Sequence, residues 1–385
     1  MPKIIFAVGG TGGHLFPAQA LAEQLLLENK EMELLFAGEG LSKTAYFDKV
    51  KFSFCDISST TPFRGTIFQA IKSIGILSKG IRESFKLLST QKPDLVIGFG
   101  SFHAFPLLCA AAIKKIPMIL FESNAIPGKV VRLFSKRAQF TALYFSVAKG
   151  YLKGKTIEVD IPIKNTLSRR FMPKEEAKAW LQLDPHLFTL LVFGGSQGAR
   201  ALNQHILQLL PQCKLPLQLI HFTGNDETAR EVSRLCQTLG VRCYVKKFEP
   251  RMDIAWNAAD LVLCRSGAMT LSELLHYEVP GILIPYPYAS DQHQLKNAQF
   301  LEKTVGGAIC FEESTLSSEI LMDAIRSFSG SKDCVKLSSP TTISRLNLET
   351  AVRDGKVMQE AIKLFKVQQK KADFSKLVIE FLETQ

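Results

Sequence analysis

The chain opens with a short apolar run, Ile4 to Val8, then Gly9-Gly10-Thr11-Gly12-Gly13, after which Leu15, Ala18, Leu21, Ala22 and Leu25 recur at helical spacing. An apolar run bounded by glycines and followed by a 3.6-residue period predicts a buried strand, a tight loop and a helix. The same grammar returns at Leu34 to Ala37 before Gly38, at Leu95 to Ile97 before Gly98, and at Met118 to Phe121 before a polar loop. Strands apolar on both faces, alternating with segments able to hold helices, predict a parallel α/β sheet.

Between about 160 and 185 the pattern loosens around Pro162, Pro173 and Pro185, with a short charged helix between them, so a domain boundary is expected near 163. The second half restarts like the first: Leu190 to Phe193, then Gly194-Gly195-Ser196-Gln197-Gly198, then Ala201, Leu202, Ile206, Leu209 and Leu210 at helical spacing. Further strands are expected at Leu217 to His221, Cys243 to Val245, Leu261 to Cys264 and Gly281 to Ile284. Beyond about 315 the chain reads as helical and lysine-rich, and the tail from about 351, with Lys370-Lys371 and Phe374 to Leu382, has no function assigned to it.

A length of 385 residues exceeds what one core usually organises and fits two domains with a cleft between them. Hydrophobic residues at 46% and charged residues at 22% exclude disorder as the main state. The net charge of +11 suits an acidic partner, whether nucleic acid, anionic lipid or nucleotide phosphates, and charge alone does not choose among them. The eight cysteines form no CxxC pair and read as reduced core thiols of a cytoplasmic protein. Met1-Pro2-Lys3 runs straight into the first strand without the pattern of a signal peptide, and no apolar run approaches the roughly 18 residues of a membrane span.

In an open parallel sheet, ligands bind beyond the carboxyl ends of the strands, where helix N-termini offer free N–H groups. Both glycine loops occupy that position. The first is not GxxxxGK[ST], and a GxGxxG reading from Gly10 and Gly12 fails at Leu15, although Glu39 at the end of the second strand keeps a dehydrogenase formally open. His14 opens the first helix, where it is either a general base for a substrate hydroxyl or a capping or merely exposed side chain. The segment Cys264 to Glu273 follows a strand with small residues and hydroxyls and then opens a helix, so its backbone can hold a diphosphate. Glu273, about one turn in, can accept the two hydroxyls of a ribose or simply serve the helix dipole. Asp291 to Gln294, expected on a loop after the last strand, offers groups suited to sugar hydroxyls. No Asp-x-Asp pair occurs and the seven histidines lack ligand spacing, so no metal and no cofactor are expected.

Taken together, Gly9 to His14, Gly194-Gly195-Ser196-Gln197-Gly198-Ala199 and Cys264 to Glu273 resemble the MurG family, over roughly residues 3 to 310. The resemblance implies an α/β fold of two Rossmann-like domains facing across a cleft, the B-type glycosyltransferase fold. It implies an acceptor- and membrane-binding domain over 1–163, joined by C-terminal helices from about 345–385, and a UDP-GlcNAc-binding domain over 164–344. It implies inverting transfer of GlcNAc from UDP-GlcNAc to the C4 hydroxyl of MurNAc in lipid I, giving lipid II for the cell wall. The partners implied are UDP-GlcNAc, lipid I, an anionic membrane surface and other cell-wall or division proteins, without nucleic acid, at the cytoplasmic face of the bacterial inner membrane as a peripheral protein.

Carried over by matching motif, His14 is the candidate base, and Thr11, Gly12, Gly13 and Asn124 approach the donor's diphosphate and sugar. Ser196 faces the diphosphate, Lys164 joins the donor set, and Glu249 contacts uracil mainly through its backbone. Arg265 with Ala268, Met269, Thr270, Leu271, Ser272 and Glu273 meets the nucleotide, and Gln294 meets GlcNAc hydroxyls. Gly100, Ser101 and Phe102 form the acceptor loop.

The chain departs from the family in three places. It has Phe121-Glu122-Ser123-Asn124 for His-Glu-Gln-Asn, Asp160 to Lys164 for Gly-Asn-Pro-Val-Arg, and Gly100-Ser101-Phe102 for Gly-Gly-Tyr. Lys164 keeps the positive charge without arginine's bidentate fork, and Phe102 lacks a hydroxyl. Ile71, Ile74, Leu77, Ile81 and Phe85 recur at helical spacing among Lys72, Lys79, Arg82 and Lys86, which fits an interfacial helix or equally a core-facing one. Two other readings stay open: a B-type transferase with a diacylglycerol or polyprenol acceptor, and a nucleotide-sugar-binding scaffold without turnover.

Overall fold

The computed structural model describes residues 1–9, 12–45, 47–61, 67–162, 171–195, 198–329 and 354–385. The chain divides into two compact units, Met1–Arg169 with Lys371–Gln385, and Arg170–Lys370.

In the first unit β1 (Lys3–Ala7), β2 (Glu33–Gly38), β3 (Ser53–Asp56), β4 (Leu95–Gly98), β5 (Met118–Glu122), β6 (Phe140–Leu143) and β7 (Thr156–Glu158) form one sheet in the order β3-β2-β1-β4-β5-β6-β7. All of the pairings are parallel, and β1 lies between β2, with Ile4 opposite Leu34, and β4, with Ile4 opposite Leu95. The chain therefore changes direction across the sheet between β1 and β4, the point at which loops diverge and leave room for a ligand. Ile4, Ile5, Phe6, Ala7 and Val8 are fully buried, as a strand covered on both faces must be. Gly38 is needed where β2 meets β1, since a Cβ there would lie 1.8 Å from the Val8 carbonyl oxygen. Helices α1 (Gly12–Glu28), α2 (Ile67–Gln91), α3 (Phe105–Lys114) and α4 (Lys129–Phe134) belong to this unit.

The α2 helix turns a small-residue side inward, with Ser73, Gly80 and Ser84 buried beside Leu88. Leu77, Ile81 and Phe85 are half-buried, whereas Ile71 and Ile74 stay 63% and 61% exposed among the exposed Lys72, Lys79, Arg82 and Lys86. The stripe is thus core-facing at one end and open at the other.

In the second unit β8 (Phe188–Phe193), β9 (Leu217–Phe222), β10 (Cys243–Lys246), β11 (Leu261–Cys264), β12 (Gly281–Leu283) and β13 (Ala308–Cys310) give the order β10-β9-β8-β11-β12-β13, again all parallel. Its helices are α5 (Lys174–Trp180), α6 (Arg200–Leu209), α7 (Asp226–Leu239), α8 (Met252–Ala258), α9 (Ala268–Tyr277), α10 (His293–Phe300), α11 (Ser318–Phe328) and α12 (Gly355–Gln368). Local sequence explains their ends: the Asn225 side chain accepts the Thr228 N–H at 2.8 Å to cap α7, and Gly240, at φ 69°, ends it in the left-handed region. Lys174 and Lys178 tie α5 to Asp260 at 2.7 and 2.9 Å.

Two expectations need correction here. The strand at 281 is not the last, because β13 follows it. The segment 291–294 is also not all loop: Ser290–Gln292 makes one tight turn and Gln294 lies in the first turn of α10. No glycine or proline stands between 289 and 305 to stop a helix from forming there.

The chain's end is shared between the units, where the sequence suggested that everything from about 345 joins the first. Helix α12 belongs to the second unit, with Ile362 Cγ1 filling the space where a Cβ on Gly307 would fall, at 2.4 Å, and Lys366 donating to Glu278 at 2.6 Å. From Lys371 onward the chain is in the first unit. The Lys371 ammonium sits 3.7 Å from the Tyr144 ring centre, Ala372 N–H donates to Glu158 O at 2.9 Å, and Phe374 at the start of α13 (Phe374–Glu383) stacks on Phe121 at 5.5 Å.

Candidate active site

In the first unit the loops after β1, β4 and β5 carry the candidate residues. His14 is the third residue of α1, half-buried, and a Cβ on Gly100 would lie 3.6 Å from its Cε1. A Cβ on Gly9 would meet Ser101 Oγ and His103 Cβ, both at 3.0 Å, so the first glycine loop and the acceptor loop lie against each other. The structure thus brings the candidate base beside Gly100, and Ser101 beside Gly9. Ser101 stands at φ 70°, a strained conformation for a residue with a side chain, and its Oγ accepts the His103 N–H at 3.3 Å. Phe102 is half-buried, and its carbonyl accepts the Ser59 hydroxyl at 2.8 Å.

Asn124 is positioned by Glu122, a residue of the same motif to which the sequence assigns no role. The buried Glu122 carboxylate accepts the Asn124 N–H at 2.9 Å, the Asn124 side-chain N–H at 3.0 Å and the Gly128 N–H at 2.8 Å. Burial pushes the Glu122 carboxyl up, and these donors pull it back only in part. Phe121, standing where the family has histidine, is buried between Phe99 at 5.3 Å and Phe374 at 5.5 Å.

In the second unit the site is built around the start of α9. Among the described residues no side chain caps this ten-residue helix at Gly267, so its first N–H groups keep their partial positive charge for an anion. Ala268, Met269 and Thr270 form that first turn, Leu271 is buried in the core, and the Ser272 hydroxyl is used up on Met269 O at 2.8 Å. Ser266 donates to Gln294 O at 2.8 Å and Asn297 donates to Ser266 O at 3.2 Å, which locks α10 to this turn and brings Gln294 beside it. The Gln294 side-chain oxygen accepts the Tyr286 N–H at 2.9 Å.

Among the described residues Glu273 accepts one hydrogen bond, from Trp256 Nε1 at 3.2 Å, while burial pushes its pKa up to about 7. An acceptor so poorly supplied with donors suits a ligand that brings hydroxyls. Trp256, stacked on Tyr277 at 6.0 Å, carries no spacing signal that sequence reasoning could have used. Arg265 is already engaged within the unit: Nη1 donates to Ile284 O and Pro285 O, both at 3.2 Å, and Nη2 meets Glu313 Oε2 at 2.6 Å. The Glu249 carboxylate is buried but held low by Arg251 N–H at 2.9 Å, Tyr244 OH at 2.8 Å and Lys246 at 3.2 Å. Its side chain is therefore occupied, which leaves the backbone for a ligand.

In the second glycine loop, a Cβ on Gly194 would fall 2.3 Å from Ala199 Cβ and one on Gly198 2.4 Å from Thr223 O. Packing requires glycine at both positions, and Gly198 also stands at φ 72°. A Cβ on Gly13 or Gly195, in contrast, would meet nothing within 4 Å, so these backbones are open to a ligand, while one on Gly12 would touch Phe16 at 2.9 Å. Thr11, Lys164 and Ser196 lie outside the described residues.

Residues 4–142 match the glycosyltransferase family 28 N-terminal domain, and residues 189–338 match the family 28 C-terminal domain. The chain is 40% identical over 325 residues to the UDP-N-acetylglucosamine–N-acetylmuramyl-(pentapeptide) pyrophosphoryl-undecaprenol N-acetylglucosamine transferase of Protochlamydia amoebophila, covering 84% of this chain and 86% of that one. It is 36% identical over 324 residues to the same transferase of Chlamydia trachomatis serovar L2, covering 83% and 87%. The crystal structure of Acinetobacter baumannii MurG superposes with a TM-score of 0.70 at 22% identity, covering all of both chains, which makes the fold the B-type glycosyltransferase fold. The chain therefore belongs to the family of UDP-N-acetylglucosamine–N-acetylmuramyl-(pentapeptide) pyrophosphoryl-undecaprenol N-acetylglucosamine transferases.

Proposed function

We propose that the chain transfers GlcNAc from UDP-GlcNAc to the C4 hydroxyl of MurNAc in lipid I, forming lipid II with inversion at the anomeric carbon. Family membership carries the reading, and the geometry of both units supports it. The second unit holds UDP: the ribose hydroxyls donate to Glu273, the N–H groups opening α9 face the diphosphate, the Glu249 backbone meets uracil and Gln294 meets the sugar. In the first unit His14 accepts the proton of the acceptor hydroxyl as its oxygen bonds to the anomeric carbon. The anomeric bond to the β-phosphate breaks at the same time, and UDP departs with the electron pair. Helix N-termini lower the energy of that departure by stabilising the charge that develops on the phosphate.

Attachment to the cytoplasmic face of the inner membrane follows from the same reading. Among the described residues no helix is long and apolar enough to cross a membrane. The exposed Ile71 and Ile74, flanked by Lys72, Lys79 and Arg82, suit shallow contact with anionic lipid, each cation contributing about 1 kcal/mol near such a surface.

The test is incubation of the full chain with UDP-GlcNAc and a lipid I analogue, followed by mass spectrometry of the lipid. One added N-acetylhexosamine with equal release of UDP is expected. Transfer only to diacylglycerol or free polyprenol phosphate would overturn the acceptor assignment, and tight UDP binding without transfer would make the chain a nucleotide-sugar scaffold.

A further inference from the structure

We propose that the groove between α7 and the free edge of β10 is a docking site for an acidic, extended segment of a partner protein, which joins the second sheet as an additional strand. Among the described residues β10 ends the sheet and pairs with β9 only, from Cys243 opposite Leu219 to Lys246 opposite Phe222. The carbonyls of Arg242 and Lys246 accept N–H groups of Leu219 and Thr223. Because partners alternate along a parallel ladder, the backbone groups of Cys243 and Val245 face away from β9 and are available to another strand.

A groove of about 680 Å³ runs along this edge under α7, a volume within the usual range of ligand clefts. Arg230 and Arg234, one turn apart on α7, line it together with Lys246 and Lys247, against the single carboxylate of Asp226. Lys247 is paired with Asp226 at 3.2 Å and Lys246 with Glu249 at 3.2 Å, but among the described residues neither arginine has an ion-pair partner. Phe248, 59% exposed, adds an apolar patch at one end.

Lysines on an edge strand discourage pairing with a second copy, because two such edges bring like charges together. The same charges favour a strand of opposite sign, with main-chain hydrogen bonds supplying affinity and the cations selectivity. The groove borders the proposed donor site, since Lys246 pairs with Glu249 and Phe248 precedes it, but Arg230 and Arg234, on which the proposal rests, are not among the candidate donor or acceptor residues.

The probe is a fluorescein-labelled peptide of alternating glutamate and valine, titrated with the full chain and followed by anisotropy at moderate salt. Saturable binding is expected. It should weaken on the order of tenfold or more when prolines of unchanged total charge interrupt the peptide, and similarly in the Arg230→Glu, Arg234→Glu double variant. GlcNAc transfer by that variant should match the parent, which shows that it is folded. No binding, equal binding of the proline peptide, or tighter binding of a single-stranded oligonucleotide of equal charge would each overturn the proposal.

Discussion

The two units share one strand order over six strands, with the change of direction falling between β1 and β4 in the first and between β8 and β11 in the second, yet they equip that place differently. The first unit gathers reactive and strained side chains there: His14 beside Gly100, Ser101 at φ 70° and a buried Glu122 holding Asn124. The second offers an uncapped helix start and one under-supplied carboxylate, Glu273, while its other polar groups are spent on each other. On the proposed function, one topology carries the acid–base chemistry in one unit and the nucleotide-binding platform in the other. The difference lies in a few loop residues rather than in the sheet.

The largest effect should come from His14→Ala, which should lower kcat by about 10²- to 10⁴-fold, the usual worth of a positioned general base, with the thermal midpoint unchanged. A rate within a factor of a few of the parent would remove the chemistry from the first unit. Next is Phe374→Ala, which removes a ring that is 3% exposed and stacked on Phe121. It should cost about 3–5 kcal/mol of stability. Hydrogen exchange should speed up in the first unit, which holds both rings, and unchanged exchange there would refute the prediction.

The third prediction concerns pH. Burial raises Glu273 from 4.5 to about 7, so between those values the folded protein holds a proton that the unfolded chain releases. This group's contribution to stability is therefore present below 4.5 and lost as pH rises through about 7. Ribose donors favour the carboxylate, so UDP affinity should rise as pH passes through 7 with release of a proton. Comparing the UDP dissociation constant of the parent and Glu273→Gln from pH 5.5 to 8.5 isolates the effect, and parallel profiles would refute it. The smallest effect is expected for Ser101→Gly, which relieves a positive φ at the loss of one capping bond to His103. It should raise stability by about 1 kcal/mol in thermal unfolding.

Much of this was legible in the sequence where burial leaves a continuous apolar run, as at Ile4 to Val8 and Leu190 to Phe193. Strand β3 is short and largely exposed and β7 is half-buried, so neither leaves such a run. The glycine loops could be found but their purposes could not, since Gly194 and Gly198 answer to Ala199 and Thr223 while Gly13 and Gly195 face open space. Arg265 is placed with the nucleotide by its motif, but its ion pair with Glu313, distant in sequence, could not be read from the chain. The same limit hid Phe121: its departure from the family's histidine makes sense only with Phe374, near the other end of the chain, in contact with it.

The division of labour between the units is tested most directly by titrating UDP into the parent, His14→Ala and Glu273→Ala while lipid I-dependent UDP release is measured on the same samples. The account predicts parental UDP affinity in His14→Ala with turnover nearly abolished. In Glu273→Ala it predicts UDP affinity reduced by about tenfold or more, the worth of a lost hydrogen-bonded carboxylate. Loss of UDP affinity in His14→Ala, or parental affinity in Glu273→Ala, would contradict it.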